Sequence, residues 1–365
     1  MLFQSTILAV PLAAFLLACN SAQDEILTAN ATQSTQPVRG PDAEEAKGKK
    51  IQLAQYPGAP FEDRNGNLWF ATVLKGLIRY DGEEFVTFGM ADGLASNLVR
   101  DIVEAEDGTL WIGTGGGVSL YDGTSFKTLT NYGDTPITKT FGEQGDHRDI
   151  WDIRRDSKGN WWITTLDGVF RYDGESFTPF PMPVVAKRGA YEFTPKMVYS
   201  IYEDKSGALW FGTDGAGAVR YDGTDMVVYT AEQDGLCSDR ICKIFEDSRG
   251  VFWFGSSGGG VSKFDGTSFT THLRTKTFSK HSGWGRYMAI MEDRQGYVWF
   301  GASHAGGGVH RWDGESFRYF SVEDGLGGGG VPSIREDRKG NLWFGTTAGV
   351  FRFDGERFIN FTKTE

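Results

Sequence analysis

The sequence has 365 residues, of which 50 are glycine and 14% are aromatic, and it carries a formal net charge of −11 at pH 7. Such a composition is typical of short, half-buried strands that alternate with tight turns. The acidic balance argues against a general nucleic-acid-binding protein, because those proteins neutralise phosphates with a surplus of Lys and Arg.

The N-terminal segment has the pattern of an export signal. Residues 6–18 form an apolar run that is too short to span a bilayer, so residues 1–18 are predicted to be a signal peptide. The run ends in Leu-Leu-Ala-Cys at Cys19, which resembles the processing motif of bacterial lipoproteins. The resemblance implies cleavage before Cys19, acylation of its thiol and, from Asn20, an outer-membrane protein that faces the periplasm or the surface. The alternative is a plain secretory signal in which Cys19 is incidental.

The rest of the chain is predicted to be a tether followed by one folded domain. Residues 19–50 are polar and lack aromatic residues, which predicts a flexible tether, and residues 51–365 are assigned to the domain. We expect membrane contact only through the lipid. Cys237 and Cys242 are candidates for a local disulfide, with two free thiols as the alternative. Two cysteines are too few to indicate a metal site, and we expect no cofactor.

Seven segments of similar sequence fill the chain from about residue 60 to its end. Each contains one recurring Trp, and successive copies are 42 to 51 residues apart: Trp69, Trp111, Trp162, Trp210, Trp253, Trp299 and Trp343. An Asp-Gly step follows each of them, at Asp81, Asp122, Asp173, Asp222, Asp265, Asp313 and Asp354. A repeat of about 40–50 residues made of short strands predicts an all-β protein, a β-propeller with one blade per repeat.

One repeat contains four short strands. In residues 98–130, four apolar runs are separated by Asp107-Gly108, by the glycines at 115–117 and by Asp122-Gly123, which predicts a four-stranded antiparallel blade. The Asp-Gly step predicts a hairpin in which both turn positions have positive φ. The recurring aromatic residues are expected to pack between blades rather than to bind a ligand.

Pairs of acidic residues recur at the same turn of five repeats. They are Glu62-Asp63, Glu203-Asp204, Glu246-Asp247, Glu292-Asp293 and Glu336-Asp337. Because an active site is used once, whereas these pairs recur, we expect them to cap turns by hydrogen bonds of the Asx type rather than to act as catalytic carboxylates.

Two repeats carry a family resemblance most clearly. Residues 201–213 and 244–256, together with the later Phe264-Asp265-Gly266, resemble the two-component regulator propeller repeat, and the resemblance extends over about residues 60–361. In that family such repeats commonly form the periplasmic sensor region of hybrid histidine kinases that detect carbohydrates. The resemblance therefore implies an extracytoplasmic, ligand-binding propeller. The sequence shows no kinase, receiver or transmembrane pattern, so we do not expect a signalling kinase.

The connections between blades differ in length, and function is expected where the repeat is irregular. The connections after blades 1, 4 and 6 are short, whereas those at about residues 131–150, 179–197 and 271–288 are long and unlike one another. All three long connections are predicted to leave one face, together with the turns between the second and third strands. The Glu-Asp and Asp-Gly turns are predicted on the opposite, acidic face.

The long connections are rich in cationic and aromatic residues, which suit an anionic ligand through guanidinium contacts and ring stacking. The candidate ligand contacts are Lys139, His147, Arg148, Trp151, Lys187, Arg188, Tyr191, Lys196, His281, Trp284, Arg286, Tyr287 and His304. An anionic oligosaccharide is favoured over nucleic acid, and a partner protein on the same face is equally open. The alternative is that these side chains only keep the connections exposed to water and bind no ligand.

Two functions remain open from the sequence. The first is a binding or sensor-like module on the membrane surface. The second is a polysaccharide lyase or related lyase, in which Arg148 or Arg286 would neutralise a carboxylate while His or Tyr side chains move protons. No compact catalytic motif or histidine cluster is present, so the sequence favours binding and identifies no catalytic residue.

Overall fold

The computed structural model describes residues 58–73, 75–129, 148–183, 196–274, 286–303 and 307–362. These residues form seven four-stranded antiparallel sheets, in each of which the strands lie side by side in chain order. The sequence prediction of a seven-bladed β-propeller is thereby confirmed. The predicted signal peptide, the tether and residues 51–57 lie outside the described residues.

The first four blades contain strands β1–β16. Blade 1 has β1 (Phe61–Glu62), β2 (Leu68–Ala71), β3 (Leu77–Tyr80) and β4 (Phe85–Phe88). Blade 2 has β5 (Val99–Glu104), β6 (Leu110–Thr114), β7 (Gly117–Tyr121) and β8 (Phe126–Leu129). Blade 3 has β9 (Ile150–Arg155), β10 (Trp161–Thr165), β11 (Gly168–Tyr172) and β12 (Phe177–Phe180). Blade 4 has β13 (Val198–Glu203), β14 (Leu209–Thr213), β15 (Ala218–Tyr221) and β16 (Met226–Tyr229).

The remaining three blades contain strands β17–β28. Blade 5 has β17 (Ile241–Glu246), β18 (Phe252–Ser256), β19 (Val261–Phe264) and β20 (Phe269–His272). Blade 6 has β21 (Tyr287–Glu292), β22 (Val298–Ala302), β23 (Val309–Trp312) and β24 (Phe317–Phe320). Blade 7 has β25 (Ser333–Glu336), β26 (Leu342–Thr346), β27 (Gly349–Phe353) and β28 (Phe358–Asn360). Single helical turns at Met90–Asp92, Ala231–Asp234 and Val322–Asp324 lie in the three short connections.

The antiparallel strand order sorts the connections onto two faces. In each blade the first and third turns lie on one face, called the turn face, which carries the Glu-Asp and Asp-Gly turns. The second turn and the connection to the next blade lie on the opposite face, called the insert face, at residues such as Ser303 and Lys196. The described ends of the three long connections lie on the insert face, in agreement with the prediction, and the rest of these connections lies outside the described residues.

The recurring Trp residues form the core between the blades. Trp253 and Trp299 are completely buried, and the other five are at most 6% exposed. In six blades the indole Nε1 donates a hydrogen bond to the Asp of the first turn, as Trp69 does to Asp63 at 2.8 Å. The Asp carboxylate also accepts backbone N–H groups of its own turn, as at Asn65 and Asn67. The predicted structural role of these Asp residues is confirmed.

The Asp-Gly hairpins differ in one respect from the prediction. Only the glycine has positive φ, for example 104° at Gly82, and no Asp in the described residues does. The Asp81 carboxylate instead accepts N–H groups from Glu83 and Glu84. The expectation of positive φ at both positions is therefore wrong. The Asp side chain accepts the N–H groups of the turn, and the glycine alone adopts the left-handed conformation that reverses the chain.

The ring closes without a shared strand, because blade 7 is complete from β25 to β28. Phe361 packs against the rings of Phe70, Tyr80 and Trp343, which lie in the first and last blades. The backbone N–H of Arg338 donates to Glu62 across the same joint. Hydrophobic packing and hydrogen bonding thus join the first and last blades.

Candidate functional site

The inner strands carry a group of charged side chains that meet in the central channel. They are Asp101 on β5, Asp152 and Arg154 on β9, Lys243 on β17 and Arg335 on β25. Arg335 Nη2 lies 3.2 Å from Asp101 Oδ1, and Arg154 Nη2 lies 3.3 Å from Asp152 Oδ1. Arg154 Nη1 is 3.9 Å from Asp101 Oδ2, and Lys243 Nζ is 3.7 Å from Asp152 Oδ2. These five side chains form one connected set, called the channel network.

The channel network joins blades that are not neighbours. Arg335 of blade 7 reaches Asp101 of blade 2, although blade 1 lies between them. Lys243 of blade 5 reaches Asp152 of blade 3, although blade 4 lies between them. Side chains of non-adjacent blades can meet only close to the axis of the ring, so the network spans the channel.

Backbone groups hold the two carboxylates in place. The N–H of Ile153 in blade 3 donates to Asp101 Oδ2 of blade 2 at 3.1 Å. The N–H of Ile201 in blade 4 donates to Asp152 Oδ2 of blade 3 at the same distance. Each Asp thereby links its own inner strand to the inner strand of the next blade.

The pKa values of the two carboxylates are shifted in opposite directions. Burial opposes the ionisation of Asp101, but the positive charges of the three cations around it hold its pKa below the ordinary value. The pKa of Asp152 is raised, because burial outweighs the attraction of the Arg154 and Lys243 charges. The negative charge of the neighbouring Asp101 raises it further. Burial, together with the two guanidinium groups, lowers the pKa of Lys243. The network therefore holds ionic groups in a partly dehydrated space.

A fixed pair of an aromatic ring and a cation lies on the insert-face side of the network. Trp151 precedes Asp152 on β9, and the Arg100 guanidinium lies 4.1 Å from the centre of its ring. Asp149 accepts two hydrogen bonds from Arg100, at 2.8 and 3.0 Å. Tyr199 of the next blade meets the Trp151 ring edge-on. This arrangement presents a held guanidinium beside a half-buried indole.

Two further arginines begin inner strands on the insert face. Arg240 forms a backbone bridge to Asp214, and Arg286 forms the equivalent bridge to Ser257 in the next blade. Burial lowers the pKa of Arg286 to about 10. Cationic residues of blades 2, 5 and 6, namely Arg100, Arg240 and Arg286, therefore flank the insert-face end of the channel, which we call the channel entrance.

The structure places five of the predicted ligand contacts. Trp151 and Arg286 lie at the channel entrance described above. Lys196 and Arg148 are exposed on the insert face, and Lys196 Nζ lies 2.8 Å from Asp167 Oδ1. The prediction of Tyr287 as a ligand contact is corrected by its burial. Tyr287 is 2% exposed and packs in the core between blades 5 and 6, where its hydroxyl donates to the Leu273 carbonyl. The alternation of β21 turns its ring into the core, away from any ligand.

The other predicted contacts lie outside the described residues: Lys139, His147, Lys187, Arg188, Tyr191, His281, Trp284 and His304. The predicted lipidation site, Cys19, lies outside them as well.

The predicted disulfide between Cys237 and Cys242 is not formed, and both are free, buried thiols. Cys237 lies beside the hydroxyls of Ser256 and Ser262 in its own blade. Cys242 packs instead in an apolar cluster with Tyr199 and other residues of the inner wall. The two thiols therefore belong to separate packing environments, and burial raises the pKa of each.

Sequence reasoning missed the channel network. The signal was present, because inner-strand positions that are apolar in some repeats hold Asp101, Asp152, Arg154, Lys243 and Arg335 in others. Only a blade-by-blade alignment of the inner strands would have shown that these charges meet at the axis.

The turn face has a cavity of about 600 Å³ between blades 6 and 7. Its lining includes Arg311, whose guanidinium lies 4.2 Å from the centre of the Tyr297 ring. A cation over the recurring Trp also occurs in blades 4 and 5, at Arg220 and Lys263. This cavity is therefore lined by a contact that recurs in several blades, whereas the arrangement at the channel entrance occurs in one blade of the described residues.

No helix in the described part of the chain is long and apolar enough to cross a membrane. No cluster of three His, Cys, Asp or Glu side chains in the described ranges could hold a metal ion.

Comparison with solved structures shows the fold. The extracellular domain of a protein described as a hybrid two component system from B. thetaiotaomicron is 19% identical with a TM-score of 0.62, over 82% of this chain and 40% of that chain. PorZ, a surface component of the type-IX secretion system of Porphyromonas gingivalis, is 19% identical with a TM-score of 0.58, over 82% and 48%. This chain thus spans less than half of either protein.

A third similar structure is a catalytically inactive virginiamycin B lyase from Staphylococcus aureus with quinupristin. It is 14% identical with a TM-score of 0.60, and the alignment covers 82% of this chain and 96% of the lyase. At such identities the likeness concerns the fold alone. Comparison with curated proteins gives no significant sequence match.

Family comparison identifies the repeats. Residues 93–116, 192–215 and 325–348 match the family described as Two component regulator propeller. Each matched segment contains the first and second strands of a blade, in blades 2, 4 and 7. The chain is a seven-bladed propeller that carries two component regulator propeller repeats.

Proposed function

We propose that this chain is an exported, sensor-like propeller that binds an anionic carbohydrate on its insert face. The observation that carries the proposal is the arrangement of Trp151, Arg100 and Asp149 at the channel entrance. An indole face stacks on sugar rings, and a guanidinium binds carboxylate or sulfate groups. Asp149 uses Nε and Nη2 of Arg100, and no described residue accepts from Nη1, which leaves that group for a ligand.

Charge placement supports an anionic ligand. Arg240 and Arg286 lie on the same face as Arg100, although the chain as a whole is strongly acidic. The turn face, in contrast, carries the repeated Glu and Asp side chains. A negatively charged ligand would therefore be drawn to the insert face and repelled from the turn face.

The sensor-like role is supported by the repeat family and by the similarity to an extracellular domain of a hybrid two component system. The predicted signal peptide agrees with export. Anchoring through a lipid on Cys19, at the outer membrane, is part of the proposal. A partner protein on the insert face is the other open occupant, and the similarity to a secretion-system surface component makes it worth testing.

Lyase activity is the second candidate function. The same fold carries a lyase activity in virginiamycin B lyase, which this chain matches over 96% of that enzyme. Acidic-sugar elimination would need a base and an acid near Arg148 or Arg286, and His147, His281 and Tyr191 are the side chains that the sequence offers. Among the described residues, the entrance contains held cations and an indole, which suit binding better than proton transfer.

A thermal-shift experiment with acidic and neutral oligosaccharides of equal length tests the binding proposal. We expect acidic chains to raise the unfolding midpoint of the wild-type protein and to have little effect on Trp151→Leu. Tyr319→Leu is the matched control, because Tyr319 is an exposed aromatic residue on an outer strand. Equal shifts for neutral chains, or an unchanged shift in Trp151→Leu, would refute the proposed site. Absorbance at 235 nm that grows with time would show elimination and favour the lyase.

The anchor is tested separately by labelling cells with an alkyne analogue of palmitate. The wild-type chain should incorporate the label and sediment with membranes, whereas Cys19→Ser should do neither. Incorporation that persists in Cys19→Ser would contradict lipidation at this residue.

A further inference from the structure

One register position of the inner strands connects each blade to the next. Asp101, paired with Gly113, and Asp152, paired with Thr164, occupy this position in blades 2 and 3. Each accepts the N–H of the residue that follows the same position in the next blade, Ile153 or Ile201. Ser200, paired with Gly212, occupies this position in blade 4.

The joint between blades 4 and 5 lacks the carboxylate that the two preceding joints have. Ser200 is only 2% exposed, and its hydroxyl has no hydrogen-bond partner among the described residues. Ile244, which pairs with Phe254, has the register of Ile153 and Ile201. No described side chain accepts from its N–H. A buried hydroxyl and a backbone donor therefore remain without the acceptor that the preceding blades supply.

The same place has a surplus of positive charge. Lys243 directly precedes Ile244, and it belongs to the channel network together with Arg154 and Arg335. The carboxylates that face these three cations are Asp101 and Asp152, so one positive charge is not balanced within the network. A partly dehydrated charge without a counter-charge is costly, and a bound counter-ion removes that cost.

We propose that a small monovalent anion binds in the channel beside Ser200, where it accepts hydrogen bonds from the Ser200 hydroxyl, the Ile244 N–H and the Lys243 ammonium. The anion takes the place that a carboxylate occupies at the two preceding joints. It balances the charge of the channel network and joins blade 4 to blade 5. A single charge suffices, so the ligand class is a halide or a small carboxylate such as formate. This site does not depend on the proposed carbohydrate site.

Thermal unfolding at constant ionic strength tests the proposal, with chloride replacing gluconate, a much bulkier monovalent anion. The midpoint of the wild-type protein should rise saturably by ~2–4 °C, because a ligand that binds only the folded state stabilises it. Formate should act as chloride does. Absence of any saturable rise would overturn the proposal.

The variant Ser200→Asp supplies the missing carboxylate from the chain itself. It should have a higher midpoint than the wild-type protein in gluconate, and its midpoint should no longer depend on chloride. Thr270→Asp is the matched control, since it adds the same charge at an exposed position of β20 and should keep the wild-type dependence. A chloride dependence that persists in Ser200→Asp would place the anion elsewhere and contradict the inference.

A second measurement covers the case in which Ser200→Asp does not fold. The ³⁵Cl NMR line of a chloride solution should broaden in the presence of the wild-type protein and narrow again when formate is added. Lys243→Met should remove most of the broadening. Equal broadening by the wild-type protein and Lys243→Met would overturn the site.

Discussion

Arg155 Nη1 lies 2.6 Å from Glu106 Oε1 at the joint between blades 2 and 3. At the other six joints a Glu at the position of Arg155 accepts a backbone N–H from the first turn of the preceding blade, as Glu203 does from Ser157. Here an Arg has replaced that Glu, and Glu106 occupies the position of Ser157. The joint between blades 2 and 3 thus has an ion pair in place of the hydrogen bond, and the residue types of both partners differ from those in the other blades.

This exchange predicts coupling between the two positions. Arg155→Glu should destabilise the protein by up to ~1 kcal/mol, because it places two carboxylates together and an exposed ion pair has about that strength. Glu106→Ser alone should have a smaller effect. The double variant recreates the Ser-Glu pair of blades 3 and 4 and should regain most of the lost stability. Urea unfolding of the four proteins measures the coupling, and additive effects of the two changes would contradict it.

The hydrogen bond between Asp and Trp, which six of the blades have, predicts a large loss of stability when the Asp is removed. Asp247 is completely buried and accepts hydrogen bonds from Trp253 Nε1 and from the N–H groups of Arg249 and Val251. Asp247→Ala leaves these donors without acceptors, so we expect a loss of about 3–5 kcal/mol in the free energy of unfolding. Denaturant unfolding is the measurement.

Asp265→Ala in the same blade is the matched control for this effect. Asp265 also accepts two N–H groups, from Thr267 and Ser268, but its turn is exposed and water can replace it. The control should therefore lose much less stability than Asp247→Ala. Similar losses for the two variants would show that burial of the Trp–Asp pair is unimportant.

The repeat made most of the fold predictable from the sequence. Regularly spaced Trp and Asp-Gly steps predicted seven blades of four strands, because every blade must bury the same aromatic residues against its neighbour. Blade 2 departs from the repeat in a way that the repeat does not predict. Ala105 stands where the other blades have Asp, and Trp111 stacks on Trp161 at 3.9 Å between ring centres. A missing hydrogen bond is there compensated by a stacked pair that no local pattern predicted.

The candidate site was less predictable. The sequence pointed to Trp151 and Arg286 because they stand next to irregular connections, and their role in binding stays a prediction. It missed Arg100, which lies over the Trp151 ring, and Asp149, which holds Arg100. It also included Tyr287, whose side chain is buried in the core. Contacts across the channel depend on which inner-strand side chains point toward the axis. A bulge near the start of the inner strand shifts that alternation in blades 2 to 6.

Close approach of neighbouring blades predicts an effect at Gly301 on β22. A Cβ added there would lie 2.3 Å from the Val331 carbonyl oxygen of blade 7. Gly301→Ala must therefore push the two blades apart, and we expect a loss of about 1–3 kcal/mol in the free energy of unfolding. Gly328→Ala is the control, since its Cβ would meet no atom closer than 4.0 Å. Equal stability of the two variants would contradict tight blade packing at Gly301.

The Asp-Gly hairpins predict sensitivity to acid. Backbone N–H groups hold the pKa of all seven hairpin Asp residues below the ordinary value. Because the folded pKa is lowered, their contribution is complete above the unfolded pKa of about 3.9 and is lost as pH falls through the folded pKa. We expect the thermal midpoint to fall as the pH is lowered from about 4 toward 2.

Asp122→Asn isolates this effect at one hairpin. Asp122 accepts the N–H groups of Thr124 and Ser125, and an Asn side chain can still accept them but does not titrate. The variant should be less stable than the wild-type protein at neutral pH, because its hydrogen bonds lack the negative charge. The difference between the two midpoints should shrink as pH falls below about 4, since the wild-type carboxylate then becomes neutral. Midpoints measured from pH 2 to 7 test this, and a difference that stays constant over the whole range would show that the charge of Asp122 does not stabilise the turn.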